Sequence, residues 1–255
     1  MSTKTGYKIN RLMQEWPKGA VCTQTWLNAK GYSANLMRRY RASNWVKSIG
    51  SGAYILANDK VEWTGGLYAL QSQLSLSVHA GGRTALEYHG AGHYARFQDT
   101  VVHLFAEPLT LMPKWFLTYP WGPGLWIKKS KFLPFNIAGS FSEIEHKEFA
   151  IRISAPERAI LEMLTLVPAQ QGFDEAFKII ENALTLRPSL MQELLRQCDS
   201  IKVKRLFLYM AEKAQLTVAD RLLQNAIDLG QGKRVIVKNG RLDQKYLITI
   251  PKDYD

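Results

Sequence analysis

Asn35, Arg38, Arg39 and Ala42 share one face of a helix begun at Ser33, when the stretch from Tyr32 to Trp45 is wound at 3.6 residues per turn; Arg41 lies at the edge of that face. Leu36, Met37 and Tyr40 fall opposite, as a core stripe. An apolar underside beneath an Asn/Arg outer face meets the needs of major-groove reading. Arginine takes the two acceptors of guanine, asparagine pairs with adenine, and a small residue such as Ala42 lets the helix sit close. The competing reading is a solvated basic face, and the surrounding elements decide between the two.

Other residue sets carry less chemistry. His79, His89, His93 and His103 gather loosely in sequence, and His89-Gly-Ala-Gly-His93 has the i, i+4 spacing of helical metal sites. Two intervening glycines disfavour that helix, and no Glu follows His89 as a metalloprotease requires, so these histidines are expected to be structural or on the surface. Asp99, Glu107 and Lys114 resemble a nuclease set only in residue type, without the compact Glu-x-Lys spacing that brings a metal and a lysine together. Ser140 and Ser142 lie in G-S-F-S rather than a G-x-S-x-G elbow. Gly81-Gly82 and Gly50-Ser51-Gly52 read as turns, with neither the length nor the trailing Lys of a phosphate loop. Trp115, Phe116, Tyr119, Trp121 and Trp126 could stack single-stranded bases, but packing in the core of a second domain is the expected role. No catalytic constellation, metal site or cofactor site is expected, and the chain reads as a non-enzyme.

Charge points the same way as the helix. The 255 residues carry a formal +11, and its distribution is uneven. From Met1 to Ala57 nine Lys and Arg residues face Glu15 alone, a local +8, whereas the remainder holds 24 basic and 21 acidic side chains. A polyanionic partner for the N-terminal fifth follows. Cys22 and Cys198 are far apart and belong to no Cys/His cluster, which argues for a reducing compartment and against a disulfide or zinc scaffold. The N-terminus lacks the apolar region of a signal peptide. The aromatic stretch from Trp115 to Ile127 is broken by Pro120, Gly122, Pro123 and Gly124, so no membrane span is expected and the setting is the cytoplasm.

The positioning elements can be read in order. Ile9, Leu12, Met13 and Trp16 form the stripe of a first helix ended by Pro17. Ala20 to Lys30 reads as a second helix, with Cys22, Trp26 and Ala29 on one face and Gly31 as its stop. The Arg-rich helix follows. Trp45 to Ile49, Gly50-Ser51-Gly52 and Ala53 to Leu56 then make a hairpin. Three helices and a hairpin are the order of a winged helix-turn-helix, in which the third helix enters the major groove and Lys47 and Ser51 of the wing meet phosphate. Trp63 to Leu74 and Arg83 to Tyr88 read as further helices, and the glycines at 90 and 92 suggest a boundary that divides the chain into residues 1–95 and 96–255.

Beyond it, Thr100 to Phe105, Trp115 to Tyr119, Lys131 to Phe135 and Phe149 to Ile153 read as strands of an antiparallel or mixed sheet. Ser154-Ala155-Pro156-Glu157 reads as a capping box, with Ser154 as N-cap, opening a helix through Ile160, Leu161 and Leu164. Further helices are lined by Phe173, Phe177 and Ile180; by Leu190, Leu194 and Leu195; by Val203, Leu206, Phe207 and Met210; and by Ala219 through Ile227. Strands from Arg234 to Lys238 and Lys245 to Ile250 close the chain around Asn239-Gly240. The class is α+β.

In their order, N-A-K-G-Y-S-A-N-L-M-R-R-Y, S-I-G-S-G-A-Y, G-G-R-T-A-L-E, R-I-S-A-P-E-R-A-I-L-E (Arg152 to Glu162) and K-Y-L-I-T-I-P (Lys245 to Pro251) resemble the AbiEi antitoxin family of type IV toxin–antitoxin systems over nearly the whole chain. The resemblance implies a winged-helix repressor that binds inverted repeats of double-stranded DNA in its own promoter. It also implies a second, α+β antitoxin domain that counteracts a nucleotidyltransferase-like toxin without a stable complex. Ser33, Asn35, Arg38, Arg39, Arg41, Lys47 and Ser51 are the matching DNA-reading positions. Arg158, near a helix start that favours anions, is a structural ion-pair member on one reading and an antitoxin-domain contact on the other. Two rival readings stand beside this one: a DNA-tethered nuclease or nucleic-acid-modifying enzyme using the second domain, and an interaction module presenting the aromatic group to a protein partner.

Overall fold

The computed structural model describes residues 3–90, 101–183 and 185–252, with side chains from residue 7 onward. Gly92, His93, Asp99 and the expected boundary at 95/96 lie outside the described residues.

Helix α1 (Thr3–Glu15) buries Ile9 and Leu12, and Trp16 follows in the core with its indole N–H donating to the Ala20 carbonyl at 3.0 Å. The second helix is shorter than its pattern suggested. Cys22–Thr23 form strand β1, paired with the wing, and only Gln24–Ala29 are helical (α2). Thr23 explains the switch: its backbone belongs to the sheet, while its hydroxyl accepts from the Trp26 amide at 3.3 Å and caps α2. Leu27, rather than a Cys22/Trp26/Ala29 stripe, is the side chain α2 buries. Next come α3 (Ala34–Ala42), β2 (Val46–Gly50) and β3 (Ala53–Leu56). The three strands form an antiparallel sheet in the order β1-β3-β2, completing a winged helix around Leu12, Trp16, Leu27, Met37 and Val46.

The chain then runs through α4 (Trp63–Tyr68) directly into a π-helical turn (Ala69–Gln73), β4 (Val78–Ala80) and α5 (Gly82–Tyr88). After residue 100 follow β5 (Val101–Ala106), α6 (Lys114–Thr118), β6 (Gly124–Lys129), β7 (Phe141–His146) and β8 (Phe149–Ser154). A five-stranded mixed sheet results, in the order β6-β5-β4-β8-β7. Its central strand β4 comes from before residue 90, parallel to β8 and antiparallel to β5. Two expected strands are absent. Trp115 to Tyr119 is the helix α6, opened by Pro113, and buries the adjacent pair Trp115 and Phe116, which an alternating strand would split between faces. Lys131 to Phe135 is irregular, since Pro134 has no amide to give a ladder, and only Leu133 plugs the core. Strands β6 and β7 and the three-residue β4 were not anticipated.

Helices α7 (Pro156–Leu164), α8 (Phe173–Glu181), α9 (Pro188–Gln197) and α10 (Ile201–Lys213) follow, and α7 is buried on every side from Glu157 to Leu164. The expected capping box does not form. Ala155 is the N-cap with Pro156 at the first helical position, Ser154 closes β8, and Glu157 turns to Arg187, taking its backbone amide at 2.7 Å and its guanidinium at 2.8 and 2.9 Å. The helix expected over Ala219 to Ile227 stops early: α11 spans Thr217–Asp220, a 3-10 turn covers Gln224–Ala226, and Leu223 is 65% exposed. The final strands are also trimmed, to β9 (Arg234–Val235) and β11 (Ile248–Ile250), with β10 (Arg241–Asp243) paired antiparallel to β11. Leu247, at φ 51, bends the chain just before β11.

Two glutamines of the π-helical turn tie the winged helix to the sheet. Gln73 accepts from the Thr23 amide at 2.8 Å and donates to the Val21 carbonyl at 2.9 Å. Gln71 donates to the Val78 and Arg152 carbonyls and accepts from the Arg152 amide, each at 2.8 Å. The contact between the Pro17–Gly19 turn and α4 is closer still: a Cβ on Gly65 would lie 1.9 Å from the Gly19 carbonyl oxygen, so only glycine fits.

Candidate nucleic-acid interface

Ser33 caps α3 from an extended backbone (φ −67°, ψ 159°), its hydroxyl accepting from the Leu36 amide at 3.4 Å. That cap fixes where the helix begins, and so which residues share a face; such caps contribute about 1 kcal/mol. Leu36, Met37 and Tyr40 are buried as expected, pinning α3 to the core. Asn35, Arg38, Arg39, Arg41 and Ala42 are all exposed. Among the described residues no ion pair engages Arg38, Arg39 or Arg41, so three guanidiniums stand on one short helix with their donors available.

The wing presents Lys47 and Ser51 to solvent. Its strands pair Val46 with Leu56, Lys47 with Ile55 and Ser48 with Tyr54, then slip so that Gly50 faces Ala53. Ser48 hydroxyl donates to the Gly50 carbonyl at 2.9 Å, and the Gln24 amide donates to the Gly52 carbonyl at 2.7 Å, so the tip is held both within the hairpin and from α2. All seven positions expected to read DNA are thus on the surface, five on α3 or its cap and two on the wing.

Arg158 lies elsewhere. It is 1% exposed, with its Nε donating to Glu162 at 2.9 Å, Nη1 to the Pro134 carbonyl at 2.8 Å and Nη2 to the Leu133 carbonyl at 3.3 Å. The Phe135 and Phe141 rings cover its plane at 5.2 and 4.5 Å. Such a guanidinium has no surface to offer another molecule, and it takes the place the ion-pair reading gave it. Glu162, fully buried, also accepts from the Ser154 hydroxyl at 2.6 Å and the Gly82 amide at 3.1 Å, and contacts His79 Nε2 at 2.8 Å. Burial pushes its carboxyl up, but His79, Arg158 and Ser154 together hold it below the ordinary range. Sequence reading missed this cluster, though an ionisable residue inside the apolar run Ile160 to Leu164 was the available signal.

The remaining chemistry-bearing residues fall into the core or onto unconnected surface. His79 and His103 are buried, and His89 touches the Ser154 carbonyl at 2.9 Å. Trp115, Phe116 and Trp121 pack on one another, with the Trp121 indole N–H on the Phe116 carbonyl at 2.7 Å. Both thiols are free and buried, and burial pushes the Cys198 thiol up to about 11. No described helix is long and apolar enough to cross a membrane.

A capped Arg-rich third helix beside a held wing, joined to a mixed-sheet α+β domain, defines a winged-helix protein of two-domain build. The chain matches the family described as the transcriptional regulator AbiEi antitoxin N-terminal domain over residues 5–97, and the one described as transcriptional regulator, AbiEi antitoxin, type IV toxin–antitoxin system over residues 99–251. It belongs to the AbiEi antitoxin family of transcriptional regulators. Among solved structures it is similar to the RV2827C protein from Mycobacterium tuberculosis, with a TM-score of 0.62 at 11% identity, covering 97% of this chain and 91% of that one; the likeness is one of fold. No curated protein matches the chain.

Proposed function

We propose that the protein is a cytoplasmic, non-catalytic autorepressor and antitoxin: α3 enters the major groove of inverted repeats in its own promoter, and the second domain counteracts a nucleotidyltransferase-like toxin without forming a stable complex with it. The observation that carries the DNA half is the exposure of Asn35, Arg38 and Arg39 on one face of a helix whose opposite face is locked into the core. Base-edge donors on a rigid, capped element lose little freedom on binding. Lys47 and Ser51, on the wing, then meet phosphate and set register while α3 reads sequence. The antitoxin half rests on the family to which residues 99–251 belong.

The deciding measurement is binding of the full chain to the DNA immediately upstream of its gene, beside a scrambled duplex, across a salt series. Preference for the upstream duplex, with affinity falling steeply as salt rises, is the expected result, because each lysine or arginine at a phosphate releases counterions. Equal, weak binding to both duplexes would reduce the basic N-terminal region to a non-specific anchor. For the second half, growth rescue by co-expression without co-purification of the toxin is expected; a complex that survives purification would overturn that mode of neutralisation.

A further inference from the structure

Leu109 and Leu111 project from the loop between β5 and α6, 91% and 82% exposed, the two most exposed large apolar side chains among the described residues. The loop that carries them is pinned. Thr110, between them, is buried, its hydroxyl donating to the Ser77 carbonyl at 3.4 Å and its amide to the Glu107 carbonyl at 3.1 Å. The Glu107 amide donates to the same Ser77 carbonyl at 3.1 Å. With Thr110 tucked in, the leucines on either side are held out in water, an unfavourable place for apolar surface. A hole for such a side chain lies beside them. Strands β5 and β6 run parallel, with Ala106 paired to Lys129, so the loops that leave them emerge at one edge of the sheet. Between those loops is a groove of about 340 Å³, with Pro108 and Leu109 on one wall and Leu133, Pro134 and Phe135 on the other. The second wall is braced from behind, because Arg158 holds the Pro134 and Leu133 carbonyls and lies against the Phe135 ring. Glu107 belongs to the first wall and Lys131 to the second; both are exposed, and among the described residues neither has an ion-pair partner within the chain. Leu111 stands two residues from Leu109 on the groove wall, at most about 7 Å along the chain.

We propose that this edge of the sheet is the docking face for a second copy of the chain: about a two-fold axis, Leu111 of each copy enters the groove of the other, and Glu107 of each meets Lys131 of the other. A knob beside its own hole suits a two-fold contact, since one axis then seats both knobs at once. A groove with an acid on one wall and a base on the other is likewise complementary to a rotated copy of itself. That pairing fixes orientation more than strength. The patch is small, so the association is of the weak, concentration-dependent kind.

The test is sedimentation velocity of the full-length protein over a concentration series, without DNA, so that its failure leaves the reading of α3 standing. Wild type should shift from monomer to dimer as concentration rises. Leu111→Asp, which places a charge in the apolar groove, should weaken association about tenfold or more. Leu223→Asp, at an exposed leucine elsewhere, should match wild type. Glu107→Lys and Lys131→Glu should each weaken association, because either change sets like charges opposite one another at both symmetry-related positions. The double variant Glu107→Lys with Lys131→Glu should restore it. All these positions are exposed, so urea midpoints should equal that of wild type. A wild-type chain that stays monomeric throughout would overturn the proposal, as would a dimer that Leu111→Asp leaves intact or charge variants that the double change fails to restore. A monomeric wild type whose Leu111→Asp variant loses growth rescue would also overturn it, and would assign the face to a different protein.

Discussion

Gln73 receives the backbone amide of Thr23 on its side-chain oxygen at 2.8 Å, which ties the winged helix to the π-helical turn that leads into the mixed sheet. The Gln73 side-chain nitrogen donates to the Val21 carbonyl at 2.9 Å, so the chain is clamped on both sides of Cys22. Two residues earlier Gln71 makes the equivalent clamp on β4 and β8. A π-helical turn brings both glutamines into use in opposite directions, and the winged helix is thereby built onto the mixed sheet.

Gln73→Ala should therefore cost stability locally. It leaves the Thr23 amide of β1 and the Val21 carbonyl just before it without their partner, a loss of about 1–3 kcal/mol. The check is a urea midpoint combined with amide exchange. The midpoint should fall, and protection of Thr23 and its wing partner Ala53 should fall more than that of β8. An unchanged midpoint would mean that water replaces the glutamine without cost.

Much of the winged helix could be read from sequence because its determinants are local: Ser33 as a cap, the Leu36/Met37/Tyr40 stripe and the Gly50–Gly52 turn each act within a few residues. Where non-local pairing decides, local pattern misled. Thr23 looks helical in the run from Ala20 to Lys30 but is held in a sheet by Ala53, thirty positions on. Ser154 and Glu157 have capping-box spacing, yet each is drawn to another partner, Glu162 farther along α7 and Arg187 just before α9. Trp115 reads as a strand residue because nothing in sequence places it against Gly50.

Acid should destabilise the protein from a definite pH. Burial pushes the His79 imidazole below its ordinary 6.5, Glu162 partly opposes this, and Arg158 and Arg152 add to it. The folded state holds His79 neutral, whereas the unfolded chain takes up a proton as pH falls through 6.5, so unfolding there binds about one extra proton and stability declines below that pH. Glu162, with its carboxyl held low, adds a second loss at more acid pH, as protonation breaks its hold on Arg158 and Ser154. Chemical denaturation from pH 8 to 4 measures both. His79→Gln keeps a donor toward Glu162 but cannot titrate, and its curve should lack the decline that begins near 6.5. An identical decline in the variant would assign it to other groups.

Arg158→Ala separates structural from functional roles. Removing the guanidinium strips Glu162 of a charge partner in the core and leaves the Pro134 and Leu133 carbonyls unpaired, which should cost about 3–5 kcal/mol. Any loss of antitoxin activity should then follow the fall in soluble, folded protein. The comparison is growth rescue at matched levels of folded chain. A variant that keeps wild-type stability yet loses rescue would show that Arg158 acts on the toxin pathway directly.

The reading helix and the wing should separate by the kind of binding each supports. Arg38 and Arg39 stand on the exposed face of α3, where a bidentate guanine contact discriminates by about 1–3 kcal/mol against the wrong base. Arg38→Ala and Arg39→Ala should each weaken the upstream duplex by that amount and leave the scrambled one nearly unchanged, so the ratio between them narrows. Lys47→Ala, on the wing, should weaken both alike and flatten the salt slope, leaving the ratio as it was. Competition binding over a panel of single-base operator variants completes the assignment, because preference should relax at the position each arginine reads and nowhere else. Should both classes of variant bind the promoter as wild type does, the groove assignment of α3 is wrong, and the exposed arginines are only a solvated face.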